Sequence, residues 1–88
     1  MLERTVTIAN RVGLHARPAA EFVKLAGRYR CDVKLSKDDL TVDGKSIMGV
    51  MMLAAEHGSS VIITTDGGDE IEAMECLAAF LERDMEEG

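Results

Sequence analysis

The chain has 88 residues, of which 47% are hydrophobic and only 3% aromatic, and its formal net charge at pH 7 is −6. This length is enough for one hydrophobic core, so we expect a single domain over residues 1–88. Because the chain is acidic overall and has few aromatic side chains for stacking on bases, it is not expected to bind nucleic acid.

The sequence also argues against membrane insertion, secretion and a metal site. No stretch reaches the roughly 18 apolar residues of a membrane-spanning helix, and the first ten residues, which include Glu3 and Arg4, lack the apolar run of a secretory signal. Cys31 and Cys76 fit no metal-ligand spacing. We therefore expect two reduced thiols in a cytoplasmic protein that carries no metal and no cofactor.

The first half of the chain predicts a strand, a helix and a hairpin. Apolar residues alternate over residues 2–8, which is typical of a strand with one buried face. From Ala16 to about Gly27 they recur at helical spacing and predict an amphipathic helix. Alternation over residues 31–36, the turn sequence SKDD and a short apolar run over 40–42 predict a hairpin.

The second half predicts a helix, a strand and a final helix. Ser46 is placed to cap a short helix, with His57 in its last turn before Gly58. Residues 60–65 form the most apolar strand, which we expect to be central. The final helix begins near Glu70 and carries an apolar stripe of Ile71, Met74, Leu77, Ala78, Leu81 and Met85. The order β-α-β-β-α-β-α predicts an α+β fold of two layers, with the helices on one side of an antiparallel sheet.

His15 stands before the first predicted helix, with Arg17 and Pro18 in the first turn. Amides of a first turn, together with the positive end of the helix dipole, can bind an anion, and a guanidinium suits phosphate oxygens. The helix does not need the amide that Pro18 lacks, but a proline disfavours helical geometry in the residue before it, so we expect a distorted helix start. These residues fit two interpretations equally: an imperfect cap, or a histidine that accepts a phosphoryl group.

The short helix after Ser46 has too many apolar residues for one buried stripe. We expect a division between the core and an exposed surface that suits binding to several partners; the alternative is that all of them are buried. The residues concerned are Ile47, Met48, Val50, Met51 and Met52.

The segments GLHARPA at residues 13–19 and KSIMGVMMLA at residues 45–54 resemble the two motifs of HPr, the histidine-containing phosphocarrier family of the bacterial phosphotransferase system. The resemblance covers essentially the whole chain. It implies an open-faced β-sandwich of four antiparallel strands with three helices on one face. It also implies that His15 is phosphorylated on Nδ1 by phosphorylated Enzyme I and passes the group to Enzyme IIA components.

The same resemblance implies roles for individual residues. Arg17 and the helix start at Ala16 and Arg17 would hold the phosphoryl group, and Ser46 matches the position modified by an HPr kinase/phosphorylase. The implied docking surface consists of Ala20, Lys24, Ile47, Met48, Met51 and Met52. Such a protein is a stoichiometric carrier rather than an enzyme, and a monomer is the simplest expectation.

Val12 departs from the family pattern. Many sugar-pathway members carry Asn or Ser there, whereas an apolar residue is more like the nitrogen-regulatory branch, NPr. The output, sugar transport or nitrogen regulation, therefore stays open, while the Ser46 motif favours a kinase-regulated HPr. A small α/β regulatory module that is not phosphorylated is a further alternative, but it gives residues 13–18 no purpose.

Overall fold

The computed structural model describes residues 1–11 and 13–83. These residues form strands and helices in the predicted order, with bounds close to those expected from the sequence. The elements are β1 (Leu2–Thr7), α1 (Ala16–Ala26), β2 (Asp32–Lys37), β3 (Leu40–Asp43), α2 (Ile47–Leu53), β4 (Ser60–Asp66) and α3 (Glu70–Glu82).

The four strands form one sheet in the order β1-β4-β2-β3, and every neighbouring pair is antiparallel. The apolar strand β4 is an inner strand, as predicted. Val61, Ile63 and Thr65 are buried on its covered face, whereas Ile62 faces the open side with 37% of its surface exposed. The period-two burial confirms an open-faced, two-layer α+β fold.

The predicted hairpin joins β2 to β3. Lys37 pairs with Leu40, so the turn consists of Asp38 and Asp39. Asp38 has a φ of 55°, a left-handed conformation that aspartate tolerates better than most residues. This tight turn fixes the register that places Leu35 and Val42 together on the covered face.

The helices contribute both phenylalanines of the core. On α1, Ala19, Phe22 and Ala26 are fully buried, and the Phe22 ring lies 6.3 Å from the ring of Phe80 on α3, centroid to centroid. The helix packs against both α2 and α3. The helix α1 therefore lies in the middle of the helical layer. Its first turn is accessible to both neighbouring helices.

The helix α2 begins as expected and ends earlier. The Ser46 hydroxyl accepts the amide of Gly49 at 3.1 Å, which makes it the predicted N-cap. Ala54 then takes a left-handed conformation with φ 54° and ψ 39° and terminates the helix. The expectation that His57 lies in the last turn is therefore wrong, because the chain leaves the helix so that Ala55 can meet the loop before α1.

The helix α3 buries most of its predicted stripe. Ile71 is the exception: 60% of its surface is exposed, so its assignment to the buried face is wrong. Met85 lies outside the described residues. The buried face also includes Ala73 and Phe80, and the complete described set is Ala73, Met74, Leu77, Ala78, Phe80 and Leu81.

The two thiols have different surroundings. Cys31 is buried and Cys76 is half-buried, and neither is paired in a disulfide within the described part of the chain. Burial, and after it a hydrogen bond to Asp69, raises the pKa of the Cys31 thiol above its ordinary value. None of the helices formed by the described residues has the length and apolar character needed to cross a membrane.

Candidate functional site

The loop before α1 is fixed by contacts that leave no room for a side chain at Gly13. This glycine has a φ of +71°, and a Cβ atom there would lie 2.6 Å from the carbonyl oxygen of Ala55. The next amide, of Leu14, donates to that same carbonyl at 2.9 Å. Leu14 itself is buried. The loop is therefore held against the segment that follows α2, and it presents His15 in a defined position.

His15 occupies the N-cap position of α1. Its backbone is extended, with φ −77° and ψ −171°, and its carbonyl accepts the amide of Ala19 at 2.9 Å. The imidazole makes no capping hydrogen bond and is exposed. The interpretation of His15 as a side-chain cap is therefore not supported.

The first turn of α1 is regular. Residues Ala16, Arg17 and Pro18 are all helical, so the expected distortion at Arg17 is wrong. Pro18 itself fits there because a first-turn amide has no acceptor within the helix, and the hydrogen bond from the Ala19 amide to the His15 carbonyl closes the turn that contains Arg17. Pro18 is buried, while Arg17 is exposed. The amides of Ala16 and Arg17 lie at the positive end of the helix dipole.

His15 and Arg17 open into one groove. Its apolar floor includes Leu14, Pro18 and Phe80, and the segment after α2 forms one side. Both residues of the sequence-predicted pair therefore line the same groove.

Three further side chains with cationic or imidazole groups line the groove and were not assigned to it from the sequence: Arg11, His57 and Arg83. No local sequence pattern assigns Arg11 or Arg83 to the groove, because the two residues are far apart in the chain. The sequence predicts His57 in the last turn of α2. It lies in the groove because α2 ends at Ala54.

Ser46 lies apart from the groove, at the start of α2, and is half-buried. Its neighbour Lys45 donates through Nζ to the carbonyl of Tyr29 at 2.8 Å. The Ser46 hydroxyl oxygen is the atom that caps the helix. A phosphate on this oxygen would therefore lie at the amino end of α2.

The apolar residues of α2 divide as predicted. Val50 and Leu53 are buried, and Met51 both faces solvent and lines the His15 groove. On α1, Ala20 and Lys24 are exposed one turn apart. The exposed fractions on α2 are 45% for Ile47, 72% for Met48, 42% for Met51 and 65% for Met52. We call the six side chains Ala20, Lys24, Ile47, Met48, Met51 and Met52 the methionine face.

Among residues 1–11 and 13–83 no group of three or more His, Cys, Asp and Glu side chains is arranged to hold a metal ion. Val12, on which the choice between sugar and nitrogen branches depends, lies outside the described residues.

Comparison with known proteins decides the family. The model of the phosphotransferase-system HPr component phosphorylation site matches residues 2–83. The chain belongs to the HPr family. A phosphocarrier protein HPr of Cupriavidus necator is 52% identical over 88 residues, which cover 100% of this chain and 99% of that protein.

Solved HPr structures share the fold. The phosphocarrier protein HPr of Bacillus anthracis superposes with a TM-score of 0.89 at 48% identity, covering 91% of this chain and 95% of that one. The HPr-like protein Crh of Bacillus subtilis, in a crystal structure that reveals a swapping domain in an intertwined dimer, has a TM-score of 0.77 at 45% identity and covers 96% and 97%. As a member of the HPr family, the chain is a phosphocarrier of the phosphotransferase system.

Proposed function

We propose that His15 is the residue that carries the phosphoryl group. The observation that supports this proposal is the exposed imidazole at the start of α1, which opens into the same groove as the Arg17 guanidinium. In the transfer, a bond forms between His15 Nδ1 and phosphorus while the bond from phosphorus to the donor breaks. The electron pair of the broken bond stays with the donor.

Arg17 and the amino end of α1 would stabilise the charge on the phosphohistidine. The guanidinium can bind two phosphate oxygens, and the amides of Ala16 and Arg17 add the helix dipole. Because the site is open, this stabilisation is modest and the group remains transferable. The chain would therefore act as a stoichiometric carrier without turnover of its own.

The donor in this proposal is phosphorylated Enzyme I, and the acceptors are Enzyme IIA components. Both would dock on the methionine face, since exposed methionines adapt to partners of different shape and Met51 reaches the His15 groove. In this proposal the transfer takes place in the cytoplasm. The output, sugar transport or nitrogen regulation, stays open.

Ser46 is proposed as a regulatory phosphorylation site for an HPr kinase/phosphorylase. A phosphate would add about −1.5 to −2 charges at the amino end of α2, where the helix dipole accepts negative charge. It would also place that charge beside Ile47 and Met48. Docking to acidic partners should weaken while the fold is retained.

We propose that the free protein is a monomer. The swapped Crh dimer is a property of that relative, and the described residues of this chain bury a continuous core within one molecule. Light scattering coupled to size exclusion at micromolar concentration would test this: a mass of twice 9.6 kDa would contradict it.

The deciding experiment incubates the protein with Enzyme I and labelled phosphoenolpyruvate. The wild type should acquire a label that is stable in base and labile in acid, and His15→Ala should acquire none. His57→Ala is the matched control, because it removes the other histidine from the same groove and should still be labelled. An unlabelled wild type, or a labelled His15→Ala, would rule out His15 as the carrier.

A further inference from the structure

Two polar side chains are buried in the part of the chain that the structure describes, Asn10 with an exposed fraction of 8% and Thr65 with one of 0%. Because burying a polar group costs free energy unless the group is hydrogen-bonded, each of them needs a reason. The Thr65 hydroxyl donates to the carbonyl of Glu70 at 3.0 Å and so joins β4 to the start of α3. Asn10 takes no part in the transfer chemistry proposed for His15, yet it lines the same groove.

The backbone on each side of Asn10 is tied to another segment of the fold. The amide of Ala9 donates to the carbonyl of Leu81, near the end of α3, at 3.0 Å. On the other side, the amide of Leu14 donates to the carbonyl of Ala55 at 2.9 Å. The loop before α1 is therefore anchored at both ends, and its shape depends on the turn between the two anchors.

Asn10 begins this turn. Its carbonyl accepts the amide of Gly13 at 3.0 Å, which is the hydrogen bond that closes a four-residue β-turn. Such turns favour asparagine at the first position and glycine at the fourth, and an asparagine side chain there can hydrogen-bond to backbone groups of the turn. Asn10 has a polar interaction besides this one, and every buried side-chain nitrogen or oxygen among the described residues has a hydrogen-bond partner. A bonded, buried carboxamide favours one conformation of the loop over others.

We propose that Asn10 is a positioning residue for phosphoryl transfer: its buried carboxamide holds the turn that ends at Gly13, and this turn sets the place of the His15 imidazole. The inference rests on the function proposed for His15, on which Asn10 would act through the backbone. Positioning matters because a displacement of the reacting groups by about 1 Å can lower a rate by about 10²-fold. The methionine face takes no part in this role, so binding of the donor protein should be unaffected.

The test measures kcat and KM for phosphorylation by Enzyme I in Asn10→Ala and Asn10→Ser. The two variants open a similar space and differ by one hydroxyl, which can hydrogen-bond within a turn as asparagine does, though more weakly. In Asn10→Ala, kcat should fall roughly ten- to a hundred-fold, with KM within about two-fold of the wild-type value. In Asn10→Ser the loss of kcat should be smaller.

Thr65→Val is the matched control, because it removes the other buried polar side chain of the described residues together with its hydrogen bond to Glu70. It should lower the midpoint of urea unfolding, as Asn10→Ala does, but leave kcat unchanged. Hydrogen exchange gives a measurement that needs no Enzyme I. The Leu14 amide should exchange faster in Asn10→Ala, because the loop opens locally, and at the wild-type rate in Thr65→Val.

The outcomes separate this inference from the proposal on His15. A wild-type kcat in Asn10→Ala would overturn it, as would equal losses in Asn10→Ala and Asn10→Ser or an equal loss in Thr65→Val. If circular dichroism shows that Asn10→Ala is unfolded, Asn10→Ser decides: a several-fold loss of kcat supports the role, and a wild-type kcat overturns it. A wild type that Enzyme I does not phosphorylate would remove the proposed function, and this role with it, even where exchange at Leu14 shows that Asn10 holds the loop.

Discussion

The amide of Leu14 donates a hydrogen bond of 2.9 Å to the carbonyl of Ala55, and this bond joins the loop that presents His15 to the segment that follows α2. The two segments approach so closely that only a glycine fits at the preceding position. The geometry around His15 thus depends on a contact between residues that lie about 40 positions apart in the chain.

Gly13→Ala tests this contact. The new Cβ would lie 2.6 Å from the Ala55 oxygen and 2.9 Å from the Glu56 Cα atom, so we expect a loss of about 2–4 kcal/mol in the free energy of unfolding from backbone strain and overpacking. Gly58→Ala is the matched control: its φ is +87°, but a Cβ would have no neighbour within 4 Å. It should cost only about 1 kcal/mol in urea unfolding. Equal losses in the two variants would contradict the close approach.

Asp69 should make stability depend on pH. The amides of Arg30 and Cys31 each donate to its carboxylate at 2.9 Å, and the bond from Arg30, followed by that from Cys31, holds the pKa of Asp69 below its ordinary value against some desolvation. Because the folded-state pKa is the lower one, the stabilisation is present above about pH 4 and is lost as the pH falls through the folded-state pKa.

Asp69→Asn should therefore lower the free energy of unfolding at pH 7 and flatten its fall below about pH 5. Glu72→Gln, on the exposed side of the same first turn of α3, should leave the pH profile close to that of the wild type. Thermal unfolding measured from pH 7 to pH 3 would show this. A wild-type pH profile in Asp69→Asn would disprove the role of the two amides.

Ser46 has a capping role that is separable from its proposed regulatory role. Ser46→Ala removes the acceptor for the Gly49 amide and should cost about 1 kcal/mol in urea unfolding. Ser46→Asp keeps a capping oxygen and should be nearly as stable as the wild type, yet it should accept phosphate from Enzyme I more slowly. Ser60→Asp, which adds the same charge at the exposed first residue of β4, should accept it at the wild-type rate. Wild-type transfer in Ser46→Asp would refute the proposed regulation.

The methionine face should matter for docking and not for folding. Met48 and Met52 are 72% and 65% exposed, so replacing either with alanine should change the free energy of unfolding by less than about 0.5 kcal/mol. KM for Enzyme I should rise several-fold in the double variant. Ile71→Ala removes an apolar side chain of similar exposure, 60%, from α3 and should leave KM unchanged. A rise in KM with Ile71→Ala of the same size would argue against a specific face.

Much of the fold was predictable because its signals are local. The alternation that buries Cys31, Val33 and Leu35 reflects the two-residue period of a strand. The hydroxyl of Ser46 caps a helix through an amide three residues away. His15 and Arg17 come together for the same reason, since both lie within one helical turn.

Other features could not be predicted from the sequence, because they depend on which other element of the fold packs against a residue. Ile71 has nearly the same angular position on α3 as Ala78, seven residues later, yet it is 60% exposed while Ala78 is fully buried. Periodicity gives the direction of a side chain and says nothing about whether another element covers it. His57 lies outside α2 for a similar reason: the helix ends at Ala54, and the next residue, Ala55, accepts the amide of the distant Leu14.

The sequence by itself determined the order of the elements, the Ser46 cap, the buried period of β2 and β4 and the pair His15 and Arg17, because these depend on neighbours within a few residues. Only the tertiary structure decided that β4 separates β1 from β2 and that Arg11, His57 and Arg83 line one groove with His15. Those relationships are set by packing and by hydrogen bonds between backbone groups that are far apart in the sequence. A local sequence pattern does not identify which groups will pair.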